Sequence, residues 1–174
     1  WVDGELAAIA GAGEPDWVFA QWHIPAYDVG TRTSSTSQEQ LRGLTAPFEG
    51  AVDWVFTGHE HLAQRMLPLR HDGVVAPSGN YGRGADDGVG YIVLPPAGTS
   101  PRTSVASPEG DQAHYRDWVA FPELEAEDTT VDSELGWAFV TLDGDTISLE
   151  IYGVGQIGSL VAPYVRDEIT YVRP

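Results

Sequence analysis

The first 60 residues alternate between helix-like and strand-like hydrophobic patterns. Val2 to Ala12 has helical composition, with Leu6 and Ile9 three apart and Gly11 and Gly13 as stop signals. Trp17-Val18-Phe19-Ala20 reads as a short buried strand, and a polar loop follows from His23 to about Thr36. Ser37-Gln38-Glu39-Gln40 has the form of a capping box, serine and then glutamine three residues later. It predicts a helix opening there, with Leu41, Leu44 and Phe48 on one face. Val52 to Thr57 is the next predicted strand. Helix, strand, helix, strand is the grammar of an α/β fold.

Beyond His61 the pattern changes to short apolar runs separated by turn residues. Arg65 to Leu69, Val74 to Ala76 and Tyr91 to Leu94 read as strands, with His71-Asp72-Gly73 as a turn. Pro95 to Gly110 is rich in Pro, Ser, Thr and Gly, which predicts an exposed loop. Asp111 to Ser133 mixes aromatics with acids and has no clear period. Gly136 to Leu142 and Thr146 to Tyr152 flank Asp143-Gly144, a strong hairpin signal. Tyr164, Val165, Ile169 and Val172 fit one more strand. A parallel half followed by an antiparallel half predicts a mixed sheet.

Composition narrows the chemistry. With 174 residues, 42% of them apolar, the chain is long enough for one domain with a sizeable core. No apolar run approaches the roughly 18 residues that span a membrane. Trp1 is not a translation start, so the gene product is expected to begin upstream. Without cysteine, any transition metal must be held by histidine and oxygen, donors that suit zinc, iron or manganese better than copper(I). Nine basic residues, all arginine, face 26 acidic ones, a net charge of −17. Such a surface repels nucleic acid and anionic membranes, and it fits adaptation to saline surroundings. Six tryptophans and an exposed-looking insert fit an extracytoplasmic enzyme.

The chemistry concentrates in Val52-Asp53-Trp54-Val55-Phe56-Thr57-Gly58-His59-Glu60-His61. A strand stops at a glycine and presents two histidines. In an extended backbone His59 and His61 point to the same side and Glu60 points away. The segment Gln21-Trp22-His23-Ile24-Pro25-Ala26-Tyr27 places a third histidine just past another predicted strand. Pro25 biases Ile24 towards extended backbone. A lone His23 among aromatic residues also fits a satisfied core histidine, and a lone His-x-His also fits a surface turn. The conjunction is more specific, because both histidine sites end predicted strands about 35 residues apart, the length of one helical crossover. Adjacent strands ending this way bring three imidazoles together where open α/β sheets carry their sites.

Gly58-His59-Glu60-His61, with the strand before it, resembles the Gly-His-x-His block of calcineurin-like metallophosphoesterases, including purple acid phosphatases. Trp22-His23-Ile24-Pro25-Ala26-Tyr27 resembles the upstream His-x-Pro block of that family, which is followed closely by tyrosine. Arg65 matches an arginine often found after the second block. The opening Trp1-Val2-Asp3-Gly4-Glu5-Leu6 is similar to the helix before the histidine strand, and the region from Gly136 to Tyr152 to a closing hairpin. The resemblance covers roughly residues 1 to 95 and 136 to 152. It implies the C-terminal half of a four-layer α/β/β/α sandwich with mixed sheets. The corresponding division is a core at 1–94 and 134–153, an irregular insert at 95–133 and a tail at 154–174. It also implies a dinuclear centre of divalent or trivalent ions such as iron, zinc or manganese, which clamps a phosphoryl group. His23 and His59 would bind one metal and His61 the other.

The family's remaining ligand blocks, Asp-x-His, Gly-Asp-x-x-Asp or Tyr and Gly-Asn-His-Glu or Asp, lie upstream of the opening helix and do not occur here. The catalytic histidine of the Asn-His block is absent with them. Thr33 stands where purple acid phosphatases often carry another histidine. The expected partner is therefore an N-terminal half that supplies carboxylates, the expected substrate is a phosphate ester, and the chain alone is expected to be inactive. Secondary candidates are Arg65 and His114 for catalysis and Tyr27 and Asn80 for substrate binding. Arg65 also fits a structural salt bridge. The glycine-rich run from Gly79 to Gly84 could cradle a phosphate but reads more readily as a turn. A rival reading is a degenerate, non-catalytic module of the same fold that binds one metal or a partner protein. A remoter one is an acidic scaffold whose histidines are incidental.

Overall fold

The computed structural model describes residues 1–12, 15–28, 35–99, 135–154 and 163–173. The elements are, in order, α1 (Val2–Gly11), β1 (Phe19–Gln21), α2 (Ser35–Gly43), a 3₁₀ turn (Ala46–Phe48), β2 (Trp54–Thr57), β3 (Gln64–Arg65), β4 (Gly90–Val93), β5 (Gly136–Asp143), β6 (Thr146–Gly153) and β7 (Tyr164–Val172). They build a mixed α/β fold with two sheets. The first sheet runs β1-β2-β4-β3, and the second runs β5-β6-β7.

In the first sheet β1, β2 and β4 are parallel and β3 is antiparallel to β4. The β4 segment was expected in an antiparallel half, and its parallel pairing is a correction. Val55 and Tyr91 face one core, where Leu6 of α1, Leu41 of α2 and Phe48 of the 3₁₀ turn pack against them. Trp54 and Ile92 face a second core, shared with Ile147, Leu149 and Ile151 of β6. The layers are thus helices, mixed sheet and antiparallel sheet. Among the described residues no fourth, helical layer covers the antiparallel sheet; every helix contributes to the first core. Gly90 is required where β4 passes the Trp54 indole, because a Cβ there would collide with the ring.

Local expectations fared unevenly. The opening helix ends one residue early, at Gly11. The β1 strand is not buried: it ends the strand order, and Phe19 and Gln21 are exposed. Ser37 does not cap α2, which already begins at Ser35. Gln38 instead turns inward and donates from Nε2 to Asp28 Oδ2 at 2.8 Å. The helix stops at Gly43, so Leu44 leaves its face and stands 67% exposed while Leu41 and Phe48 pack inward. The runs around Leu69 and Val75 form single bridges rather than strands. The β5–β6 hairpin closes one residue later than expected, with Asp143 paired to Thr146 and Gly144 at φ 55. The final strand, β7, pairs antiparallel with β6. Most of the insert, including His114, and Thr33 and part of the tail lie outside the described residues.

Candidate functional site

The parallel pairing of β1, β2 and β4 aims three strand ends at one rim. Gln21 is in register with Phe56, so His23 and Gly58-His59 leave the sheet side by side. Two backbone bonds hold these exits together: Trp22 N–H donates to Phe56 C=O at 3.3 Å, and Gly58 N–H donates to His23 C=O at 3.0 Å. The indole of Trp22 donates to Ile24 C=O at 2.6 Å and closes the turn that carries His23. Its ring packs on Phe48 at 5.4 Å between centroids.

At this rim His59 Nδ1 lies 3.2 Å from His23 Nε2, with the two rings edge to face. The spacing suits a shared metal. Two imidazole nitrogens, each about 2.0–2.1 Å from one tetrahedral ion, stand roughly 3.3 Å apart. Without a metal, the same spacing lets one neutral ring donate a hydrogen bond to the other. His61 lines the same cleft, a cavity of about 560 Å³ whose walls also come from Thr57, from Leu94 to Pro96 past β4, and from Thr99. Among the described residues, no three histidine or acidic side chains are grouped closely enough to hold a metal by themselves. The pair therefore fits two positions of a coordination shell, and these residues do not fill the rest.

The backbone that presents the histidines is not extended, contrary to expectation. His59 has φ 70 and His61 has φ 61, both left-handed, and Glu60 N–H donates to Gly58 C=O at 2.8 Å. Between the two histidines Glu60 turns inward and is fully buried, not pointing away to solvent. A left-handed backbone at a non-glycine residue is strained, and such strain concentrates at functional sites. The two histidines share the cleft because of this turn, not because of strand alternation.

The other candidates lie elsewhere. Arg65 donates from Nε to Asp167 Oδ2 at 2.6 Å and from Nη2 to Asp167 Oδ1 at 3.0 Å, which bolts β3 to β7. Burial works against the charge on Arg65, but Asp167 and the Tyr81 hydroxyl outweigh it and raise its pKa. Tyr27 is a core residue: its ring packs edge-on against Tyr91, and its hydroxyl donates to His71 C=O at 2.7 Å. Neither Tyr27 nor Asn80 lines the histidine cleft. In the glycine-rich run the N–H groups of Gly79, Asn80, Gly82 and Gly84 bond to Ala76 C=O, Ser78 Oγ, Gly88 C=O and Asp87 Oδ2, the pattern of a turn rather than of an open phosphate cradle. Pattern reading missed Trp22 as the brace of His23 and Glu60 as a buried acid. Neither an i to i+2 indole bond nor an inward-turned acid leaves a periodic signature.

No family model matches this chain, and no curated protein matches it. Among solved structures, 99% of it aligns with a purple acid phosphatase isolated from yellow lupin (Lupinus luteus) seeds, at a TM-score of 0.63 and 21% identity. The likeness shows a shared fold. The chain spans 27% of the length of that phosphatase. The rim that carries His23, His59 and His61 thus lies on a fold shared with that phosphatase.

Proposed function

We propose that this chain is the histidine-bearing, C-terminal portion of a dinuclear metallophosphoesterase domain that hydrolyses a phosphate ester. The observation that carries the reading is the His23–His59 nitrogen pair, 3.2 Å apart at the ends of two parallel strands, on a phosphatase-like fold. In this reading His23 and His59 hold one metal and His61 contributes to the second. Bridging carboxylates come from an N-terminal half outside this sequence, which would also supply the fourth layer of the sandwich. A bound metal pair supplies Lewis acidity and positive charge for a phosphoryl group. The chain's own contribution is orientation. The Gly58–His23 backbone bond and the Trp22 indole fix the segments that carry the imidazoles before any ion arrives, and the Glu60 N–H bond to Gly58 C=O closes the turn between His59 and His61. Local cationic charge at such a centre outweighs the screened field of an acidic surface.

The test is expression of the gene product with its upstream sequence, assayed with 4-nitrophenyl phosphate in the presence of zinc, iron or manganese. His23→Ala and His59→Ala are each expected to lower kcat by at least about a hundredfold, more than loss of an outer-shell group does. The 174-residue chain by itself is expected to show no turnover. Full activity in His59→Ala, or an upstream sequence without candidate carboxylates, rejects the enzyme reading and leaves a non-catalytic module of the same fold.

A further inference from the structure

A second cavity, of about 410 Å³, backs onto the histidine cleft. Val2 of α1, Leu41 of α2, Leu44 just past it, Phe48 of the 3₁₀ turn, and Trp22 and Ile24 on either side of His23 form its walls. Its chemistry is the opposite of the cleft's. The only side chain among these that can carry charge is His23. Val2, Ile24 and Leu44 also leave apolar surface in water, Leu44 most of all. Contiguous exposed apolar surface around a concavity marks a binding site rather than ordinary surface.

Trp22 and His23 line both cavities. The polar cleft and the apolar cavity therefore share these two residues as a common border, and its polar member is an imidazole of the candidate centre. We propose that this cavity is the subsite for the apolar part of the substrate, so that the site favours phosphate esters of aryl or alkyl alcohols over sugar phosphates. The inference rests on the phosphoesterase reading for the phosphate end and on the cavity alone for the apolar end. Among the described residues the wall has no carboxylate or guanidinium group, and, with the Trp22 indole bonded to Ile24 C=O, His23 alone could hydrogen-bond a ligand by its side-chain chemistry, so it complements an apolar group better than a charged peptide or a hydroxylated sugar. A volume of this size lies within the range that small organic ligands occupy, roughly 300–1,000 Å³.

The experiment is an amide and indole NMR titration of the ¹⁵N-labelled gene product, expressed with its upstream sequence, with 1-naphthol, 1-naphthyl phosphate and inorganic phosphate, each with and without zinc. Both naphthyl compounds are expected to shift the Trp22 indole N–H and the Val2 and Leu44 amides in a saturable way, and inorganic phosphate is not. Leu44→Asp, at a position already facing water, is expected to weaken 1-naphthyl phosphate binding about tenfold, since it replaces apolar contact with a charge. Leu44→Phe, which adds apolar wall, is expected to hold or strengthen it. The subsite is rejected if 1-naphthol shifts residues elsewhere or none, if Leu44→Asp has no effect, or if the same amides shift with protein concentration alone, as they would were the cavity a contact between copies. Failure of zinc to shift the His23 and His59 signals, with 1-naphthol still bound, supports the apolar subsite and overturns the phosphoesterase reading instead.

Discussion

His59 and His61 hold φ 70 and φ 61, a backbone region that costs an L-residue about 1–2 kcal/mol. Glycine occupies it freely but loses about 0.5–1 kcal/mol to its looser unfolded state. His61→Gly is therefore expected to raise stability by about 0.5–1 kcal/mol by these two figures, although it deletes an imidazole. Urea denaturation measures it, and a clear loss of stability would show that contacts of the ring outweigh the strain. A site that gains stability when its histidine is removed is held for chemistry rather than for folding. Glu49 makes the opposite case. Burial pushes its pKa up, but the His71 backbone N–H at 2.7 Å, the His71 ring at 2.6 Å and Arg70 together pull it below the ordinary carboxylate value. A carboxylate lowered in this way contributes stability above its unfolded pKa of about 4.3, and that stability is lost as pH falls through the lower folded value. The His71 side chain is nearly half exposed, so the effect stays under about 1 kcal/mol. Glu49→Gln is expected to be less stable than the parent at pH 7, with the gap closing below about pH 4. Urea midpoints across pH check this; a gap that persists at pH 3 would assign the loss to something other than charge.

At the scale of elements, what pattern reading recovered was what local chemistry dictates. The β5–β6 hairpin was legible because Asp143-Gly144 sits between two alternating runs, and Ile147, Leu149 and Ile151 of β6 are indeed the buried set. The α1 helix was legible from its composition and glycine stops. The start of α2 was not, because Ser37-Gln38 has a capping form while Gln38 is claimed by buried Asp28, a tertiary preference that no local motif records. The histidine rim was legible as a cluster, since two strand exits joined by one crossover must emerge together. The turn that aims the rings was not, since alternation assumes an extended chain. Tyr27 shows the limit of motif transfer: its place after Pro25 could be read, but the inward rotation onto Tyr91 could not. The Arg65–Asp167 bond joins two sheets across 102 residues of sequence and was invisible as a pair. Both side chains are nearly buried, at 13% and 11% exposure, so removing one partner strands the other's charge. Asp167→Ala is expected to cost about 3 kcal/mol, whereas Arg65→Met with Asp167→Leu costs less, because the double change leaves no orphan charge. Equal losses in the single and double variants, measured by urea denaturation, would mean that packing rather than charge joins the sheets.

The molecule as a whole carries a net charge of −17 on 18.8 kDa, and repulsion of this kind opposes compaction. The attractive pairs of Asp167 and Asp53 are placed where salt reaches them least. Arg65–Asp167 lies between the sheets, and Asp53, fully buried, faces Arg83 at 3.3 Å and Arg173 at 3.5 Å. Among the described residues the acids other than Asp28, Asp53 and Glu60 are exposed or half-buried, where screening acts within a Debye length of about 10 Å at 0.1 M salt and about 3 Å at 1 M. Added salt should therefore remove more repulsion than attraction. The apparent melting temperature is expected to rise by several degrees between about 0.05 and 1 M sodium chloride, with most of the rise below about 0.3 M, where the Debye length changes fastest. Sodium sulfate at equal ionic strength separates the two ways in which salt stabilises. A screening effect follows ionic strength whichever anion is used, whereas strengthened burial of apolar surface gives sulfate a further advantage that grows with concentration. A melting temperature that stays flat in chloride would mean that the surface acids repel too weakly to matter, and the composition would then reflect solubility rather than a saline setting.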